Sequence, residues 1–361
     1  METATTQRDE VRTGVLDARL RFPLVIEADA RGPRGPRDAA WLAGWLRNHA
    51  TYVESQLVDH GALLLRGFDV RTPQQFEDAA RAVSSELKND YLGTSPRDAL
   101  SPYTFSASEL PPYYPIPAHC EMSFTRQPPR RLFFCCLVPN EGPGGETPLV
   151  DFRGVWRDLD PAVRARFEEK GVRNIRNYVG PEGGSRFDLW KLKRWDEMFR
   201  TTDRAEVERK CVENGFEPTW KAHGRLALIN TQPAMKHHPK SGVPVWFNHT
   251  SVFHLDAVAS EYRRVAARLG QKRYLALGKL AGLAVALKRR FVPAEDQAMH
   301  CTYGDGTPIS TSDVESLYDA IWRNMVAFPW QRGDVTVIDN DAVAHGRMPY
   351  SGPRQIAVAW S

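Results

Sequence analysis

Hydrophobic and polar positions alternate in short blocks along this chain, and the spacing inside each block separates helices from strands. Asp38 caps a predicted helix over residues 39–57, preceded by a loop in the Gly/Pro/Arg cluster from Arg31 to Arg37. Residues 59–67, centred on Leu63-Leu-Leu65, predict a short buried strand, and residues 74–87 carry helical spacing. A loop-rich stretch follows from Tyr91 to Pro117, with prolines at Pro102, Pro111, Pro112, Pro115 and Pro117. The run Arg131-Leu-Phe-Phe-Cys-Cys-Leu-Val138 predicts a strand buried on both faces.

Further on, residues 161–170 read as a helix, 174–179, 225–230 and 243–248 as strands, and 312–326 as a helix. The chain closes with strands at 334–339 and 354–360. Many short strands dispersed among helices, without internal repeats or regular strand–helix alternation, predict a mainly β sandwich or barrel wrapped by helices. Residues 1–20 are expected to be a flexible leader, and 21–361 one domain with a basic helical insertion around 257–297.

Composition narrows the class. With 42% apolar and 25% charged residues the chain is of ordinary globular type, which excludes a fibrous or disordered protein. The net charge of +4 comes from one place: between Glu261 and Arg290 lie nine basic residues and one acid, so the remainder is slightly acidic. Its five cysteines, Cys120, Cys135, Cys136, Cys211 and Cys301, lack C-x-x-C spacing, which argues against a disulfide framework or a structural zinc site. A cytoplasmic, non-membrane location is expected, since the polar N-terminus has no apolar signal region and no long apolar run occurs.

The chemistry gathers in two distant segments. In Pro117-Ala-His119-Cys-Glu121-Met-Ser, extended backbone would put His119 and Glu121 on one side, offering an imidazole and a carboxylate to a metal. Two His and one carboxylate on one face of Fe(II) leave adjacent coordination positions free for oxygen chemistry. The candidate for the second His is His345, at a strand end in Asp339-Asn-Asp-Ala-Val-Ala-His345-Gly, and Arg354 starts a strand expected to run back beside it. A guanidinium there could bind a carboxylate through a bidentate fork. His254-Leu-Asp256 is a rival His-x-carboxylate pair, which would suit a hydrolytic metal site.

From about His60 to Trp360 the sequence resembles the taurine dioxygenase and clavaminate synthase superfamily of Fe(II)- and 2-oxoglutarate-dependent oxygenases, in the branch like the syringomycin-pathway aspartyl hydroxylase. The marks are His60-Gly-Ala-Leu-Leu-Leu-Arg-Gly-Phe68, Ser95-Pro-Arg97, His119-Cys-Glu121-Met-Ser, Gly144-Gly-Glu-Thr147-Pro-Leu-Val-Asp151, His238-Pro239, Trp246-Phe-Asn248, Tyr303-Gly-Asp-Gly306 and the block ending at Arg354. The resemblance implies a double-stranded β-helix (jelly roll), with His119, Glu121 and His345 as iron ligands and Thr147 and Arg354 holding the distal carboxylate of 2-oxoglutarate. Arg97 and Asn248 are candidate substrate contacts. Relatives like taurine dioxygenase carry a further Arg four residues beyond the one matching Arg354, where this chain has Val358, which argues against a sulfonate substrate.

The expected reaction uses O2 and 2-oxoglutarate to hydroxylate an unactivated C–H of an amino acid or amino-acid-derived intermediate, free or tethered to a carrier protein, releasing succinate and CO2. Desaturation, epoxidation or cyclisation would use the same ligands, and a catalytically silent jelly-roll binding module would not need to retain them. No nucleic-acid partner is expected, because no basic run is interleaved with stacking aromatics. The charged residues 186–204 are a candidate lid. The basic segment is a candidate docking face for an acidic carrier protein or for a second copy of the chain, or else a solvated helical surface.

Overall fold

In the computed structural model, residues 11–28, 37–90, 97–181 and 194–361 are described. Residues 186–193 of the candidate lid lie outside them, and residues 195–199 of the remainder form a short helix.

The described strands, in chain order, are β1 (Val11–Asp17), β2 (Phe22–Ala28), β3 (Ala62–Arg66), β4 (Phe105–Ser106), β5 (Ile116–His119), β6 (Arg131–Val138), β7 (Leu149–Asp151), β8 (Val172–Tyr178) and β9 (Glu217–Lys221). They continue with β10 (Arg225–Gln232), β11 (Met235–His237), β12 (Pro244–Trp246), β13 (Met299–Tyr303), β14 (Met325–Val326), β15 (Val335–Asp339), β16 (Val343–Arg347) and β17 (Gln355–Trp360). A seven-stranded sheet has the order β1-β2-β3-β15-β6-β17-β4, and a four-stranded sheet the order β14-β7-β16-β5. A second four-stranded sheet, β13-β8-β10-β9, and the hairpin β11-β12 complete the set. All pairs are antiparallel except β2–β3.

Strand periodicity explains why β6 is apolar from Leu132 to Val138. Phe133, Cys135 and Leu137 pack with Leu63, Leu65, Val335 and Val337 under the helices Ala39–Asn48, Ala50–His60 and Pro73–Val83. Leu132, Phe134 and Cys136 point the other way and meet Leu149, Val326 and Val343 of the smaller sheet. One strand therefore serves two layers of core, and the second layer, between the two sheets, borders the site described below.

Three expectations are corrected. Residues 11–17 are not leader but β1, paired along its length with β2. Most of its side chains are exposed, so backbone hydrogen bonds hold it and no apolar alternation betrays it. The single helix expected over 39–57 is two, divided at His49, whose ring stacks on Trp45 at 4.5 Å while Nδ1 lies 2.8 Å from the Trp45 carbonyl. Arg354 does not lead a strand beside His345: β17 pairs with β6 and β4 in the larger sheet, whereas His345 lies within β16 of the smaller one.

The basic segment forms two helices, Ala257–Leu269 and Lys272–Phe291, turned at Gly270 with φ +65°. Several of its cations are paired: Arg263 and Arg264 with Glu315, Arg264 also with Asp319, and Arg289 with Asp256. Its apolar residues do not all face inward, since Leu280, Leu283, Leu287 and Phe291 are exposed.

Glu261 is buried in the first of these helices, accepting a hydrogen bond from Trp322 Nε1 at 3.1 Å. Burial pushes its carboxyl from 4.5 up to about 7. Because the folded value is the higher one, the penalty is absent below about pH 4.5 and complete above about pH 7. Glu261→Gln keeps the acceptor and removes the charge. Urea unfolding at pH 8 should find the variant more stable by on the order of 3 kcal/mol, with the gain vanishing near pH 4.5. A pH-independent difference would contradict this.

Candidate metal centre

The smaller sheet brings the first two candidate ligands together. His119 closes β5 and stands opposite His345 of β16 in register, with the two rings 4.6 Å apart. Glu121 is not on the extended strand predicted for it. The chain turns after His119, and Met122 has φ +50°, a left-handed conformation that non-glycine residues rarely adopt.

Glu121 is instead held by Asn340, in the turn after β15. The amide Oδ1 accepts the Glu121 backbone N–H at 2.7 Å, and Nδ2 donates to the Glu121 and Pro129 carbonyls at 3.0 and 2.8 Å. One ligand atom from each of His119, Glu121 and His345 lies within 4.8 Å of the others, and this is the one such three-residue group among the described residues.

The donor chemistry fits a divalent iron. His119 Nδ1 lies 2.9 Å from the Pro117 carbonyl, which fixes the tautomer with Nδ1–H donating and leaves the Nε2 lone pair for a metal. Burial lowers the His119 pKa, and that of His345 falls well below the usual range through burial and the neighbouring His119 and Arg97. Both imidazoles are thus neutral near pH 7, so protons do not compete for the ligand lone pairs. The carboxylate brings one negative charge and leaves the remaining coordination positions for other groups.

Arg97 joins this centre from the loop before β4. Its Nη2 donates to Glu121 Oε2 at 2.8 Å and its Nη1 to the Ala107 carbonyl at 2.5 Å, with both charged side chains buried. Its direct contact is thus with a candidate ligand. Arg97→Gln should weaken Fe(II) affinity about 10- to 100-fold while the protein stays folded. Anaerobic Fe(II) titration checks this, and an unchanged affinity would reduce Arg97 to a structural ion pair.

Arg354 reaches the same cavity from the facing sheet. It donates through Nε to the Gly145 carbonyl at 2.7 Å and through Nη2 to Thr147 Oγ1 at 3.2 Å, while Trp330 Nε1 donates to the same hydroxyl at 3.2 Å. Burial, with Arg347 nearby, lowers the Arg354 pKa to about 10, which still leaves it cationic at neutral pH. His119, His345, Arg97, Thr147, Arg347 and Arg354 all line one cavity, so a carboxylate held by Arg354 and Thr147 would share it with the metal.

Other candidates lie elsewhere. Asn248 does not line that cavity: its Nδ2 donates to the Ala234 carbonyl at 2.7 Å and its Oδ1 accepts the Thr250 N–H at 2.9 Å, securing the start of helix Thr250–Phe253. Among the described residues, His254 and Asp256 gain no third ligand. Asp256 pairs with Arg289 and Thr311, and burial drives the His254 pKa down to about 4. His238 is buried against Asp339, with Nε2 to Oδ2 at 3.1 Å.

Residues 31–360 match the taurine catabolism dioxygenase TauD, TfdA family, and the chain belongs to it. It is a non-haem iron dioxygenase that uses 2-oxoglutarate and O2. It is 29% identical over 307 residues to the dapdiamide synthesis protein DdaC of Enterobacter agglomerans, covering 85% of this chain and 84% of the relative. It is 30% identical over 315 residues to a clavaminate synthase-like protein of Arabidopsis thaliana, covering 86% and 84%. Among solved structures, PvcB, an Fe, alpha-ketoglutarate dependent oxygenase from an isonitrile synthetic pathway, superimposes with a TM-score of 0.53 at 14% identity, covering 97% of this chain and 91% of PvcB. That likeness concerns the fold.

Sequence reasoning missed Asn340 and Arg347. Asn340 lies in Asp339-Asn-Asp341, which reads as an ordinary turn. Arg347 donates to the carbonyls of Leu110, Pro111 and Tyr114, tying the proline-rich loop to the end of β16. The loop's many prolines leave its carbonyls without partners inside the loop, which is the signal that could have suggested such a donor.

Proposed function

We propose that this chain hydroxylates an unactivated C–H of an amino acid or an amino-acid-derived intermediate, on a double-stranded β-helix scaffold. The observation that carries the reading is the convergence of His119, Glu121 and His345 on one point, with Arg354 and Thr147 opening onto the same cavity. The similarity to a dapdiamide synthesis protein supports an amino-acid-related substrate.

His119, Glu121 and His345 would hold the iron, and Arg354 with Thr147 the distal carboxylate of 2-oxoglutarate. Bound there, iron and 2-oxoglutarate supply the oxidising chemistry: O2 and 2-oxoglutarate are consumed, one oxygen atom enters the substrate C–H, and succinate carrying the other is released with CO2. The protein's share is geometric. The Pro117 carbonyl orients the His119 ring, and Asn340 fixes the backbone of Glu121. Arg354 provides a charge-assisted, directional partner for the co-substrate carboxylate.

Anaerobic addition of Fe(II) and 2-oxoglutarate should produce a weak visible charge-transfer band that His119→Ala removes. Arg354→Met should keep Fe(II) binding and weaken 2-oxoglutarate about 100-fold, the loss of one buried charge-assisted pair. Absence of the band from the wild-type protein would reject the reading.

A further inference from the structure

The helical hairpin of Ala257–Leu269 and Lys272–Phe291 is closed at one level and open at the next. At Gly278 the two helices touch, since a Cβ there would lie 3.1 Å from that of Tyr262. One turn further on, the second helix presents only the small side chains of Ala281 and Ala284 to the space opposite. A cavity of about 370 Å³ results, lined by Val258 and Tyr262 of the first helix, Leu277, Ala281 and Val285 of the second, and Met299 of β13. Small-molecule sites measure about 300–1,000 Å³, whereas protein cores leave few voids larger than a water molecule.

The mouth of this cavity is apolar too. Leu280 lines it yet is 63% exposed, and Leu283 and Leu287 stand exposed on the same helix. Apolar surface left open around an unfilled cavity marks a place where something binds. The lining holds no acid and a single lysine, Lys288. Its neighbour Arg289 is paired with Asp256, but among the described residues Lys288 has no carboxylate partner. The other basic group in the lining, His254, is neutral at pH 7, because burial drives its pKa down to about 4, and its Nδ1 accepts the Asp256 N–H at 3.2 Å. The cavity therefore carries one net positive charge.

An apolar chamber with one unmatched ammonium complements an amphiphile with one negative charge, its tail inside and its head on the lysine. We propose that this cavity binds a carboxylate with an unbranched apolar tail, Lys288 pairing with the carboxylate. With each methylene taking about the 30 Å³ of a liquid water molecule, the tail is roughly ten carbons long. The site is separate from the metal centre. The two cavities share no lining residue, and the proline-rich loop borders both, with Tyr113 and Tyr114 on this side and Ile116 on the other. The proposal therefore does not depend on the oxygenase reading.

The test is calorimetric titration of the full-length protein with decanoate and with decyltrimethylammonium, which has the same tail and the opposite charge. Decanoate should fill one saturable site per chain, and the cation should bind at least about tenfold more weakly. Lys288→Glu should reverse that order, and Ala284→Trp, which fills the cavity, should remove both. Both variants should keep the band that the wild type forms with Fe(II) and 2-oxoglutarate. If Ala284→Trp does not fold, Lys288→Glu carries the comparison. No saturable decanoate binding, equal affinity for the two ions, or wild-type decanoate affinity in Lys288→Glu would each overturn the proposal. Binding to anionic vesicles without binding of free decanoate, or a dimer that Ala284→Trp dissociates, would also overturn it and assign the apolar mouth to a membrane or to a second copy of the chain. If the wild type forms no band, the oxygenase reading fails while the decanoate result still decides this one.

Discussion

Asn340→Ala should destabilise the protein by about 3 kcal/mol or more and weaken Fe(II) binding about 10- to 100-fold in whatever remains folded. The side chain is fully buried and makes three hydrogen bonds to backbone, two of them to Glu121 itself. Alanine would remove the hydrogen bonds that Asn340 makes to the Glu121 N–H and to two carbonyls in a region water does not reach, and each lost buried bond costs about 1–3 kcal/mol. The backbone of Glu121 would then relax from the turn that aims its carboxylate. Asn340→Asp is the informative companion, because it keeps the acceptor for the Glu121 N–H but sets a buried carboxylate against two carbonyl oxygens. Urea unfolding and anaerobic Fe(II) titration measure the two effects. Stability within about 0.5 kcal/mol of wild type would show that the network is dispensable.

Gly346→Ala should act on the metal site by a different route. A Cβ at this position would lie 2.6 Å from the Ile116 carbonyl oxygen and 3.3 Å from the Ala118 nitrogen, both on β5. Gly346 lies between the two residues of β16 that pair with β5, where the register shifts, so the added methyl group has no slack to enter. Backbone must move, at a cost of about 1–3 kcal/mol, and β5 carries His119 with it. The expected result is a folded protein whose Fe(II) affinity falls at least tenfold, with His119 and His345 no longer in register. Gly14→Ala, where a Cβ meets nothing within 4 Å, is the control and should change neither quantity. Wild-type iron affinity in Gly346→Ala would mean that the ligand geometry tolerates displacement of β5.

Individual residues show what was legible beforehand. His119, Glu121, His345, Thr147 and Arg354 announce themselves because metal and carboxylate chemistry restricts residue type and the motifs keep their order. Strand β6 is equally plain, since a strand buried on both faces must be apolar at every position. The turn at Glu121 was hidden because alternation in His119-Cys-Glu121 reads as strand, whereas a tertiary partner, Asn340, imposes the bend. The sheet joined by the strand after Arg354 was hidden because it is settled by pairing with β6, more than 200 residues earlier in the chain. Arg176 was hidden most thoroughly. Pattern reasoning assigns an arginine to the solvent face, and only the packing of Phe124 and Phe216 on either side shows it inside.

Among the described residues, strand β5 lies at the edge of its sheet, joined only to β16 and through just two paired positions. An iron ion bonded to His119 on one strand and His345 on the other would act as a rivet between them, with Glu121 as a third point of attachment. Free Fe(II) at 100 times its dissociation constant would add about 2.7 kcal/mol to the stability of the fold. The apo protein would open first along this edge, exposing the proline-rich loop and the ligand turn to proteases while the helix-backed larger sheet stays closed. Iron supply would then govern how long the enzyme survives as well as how fast it works.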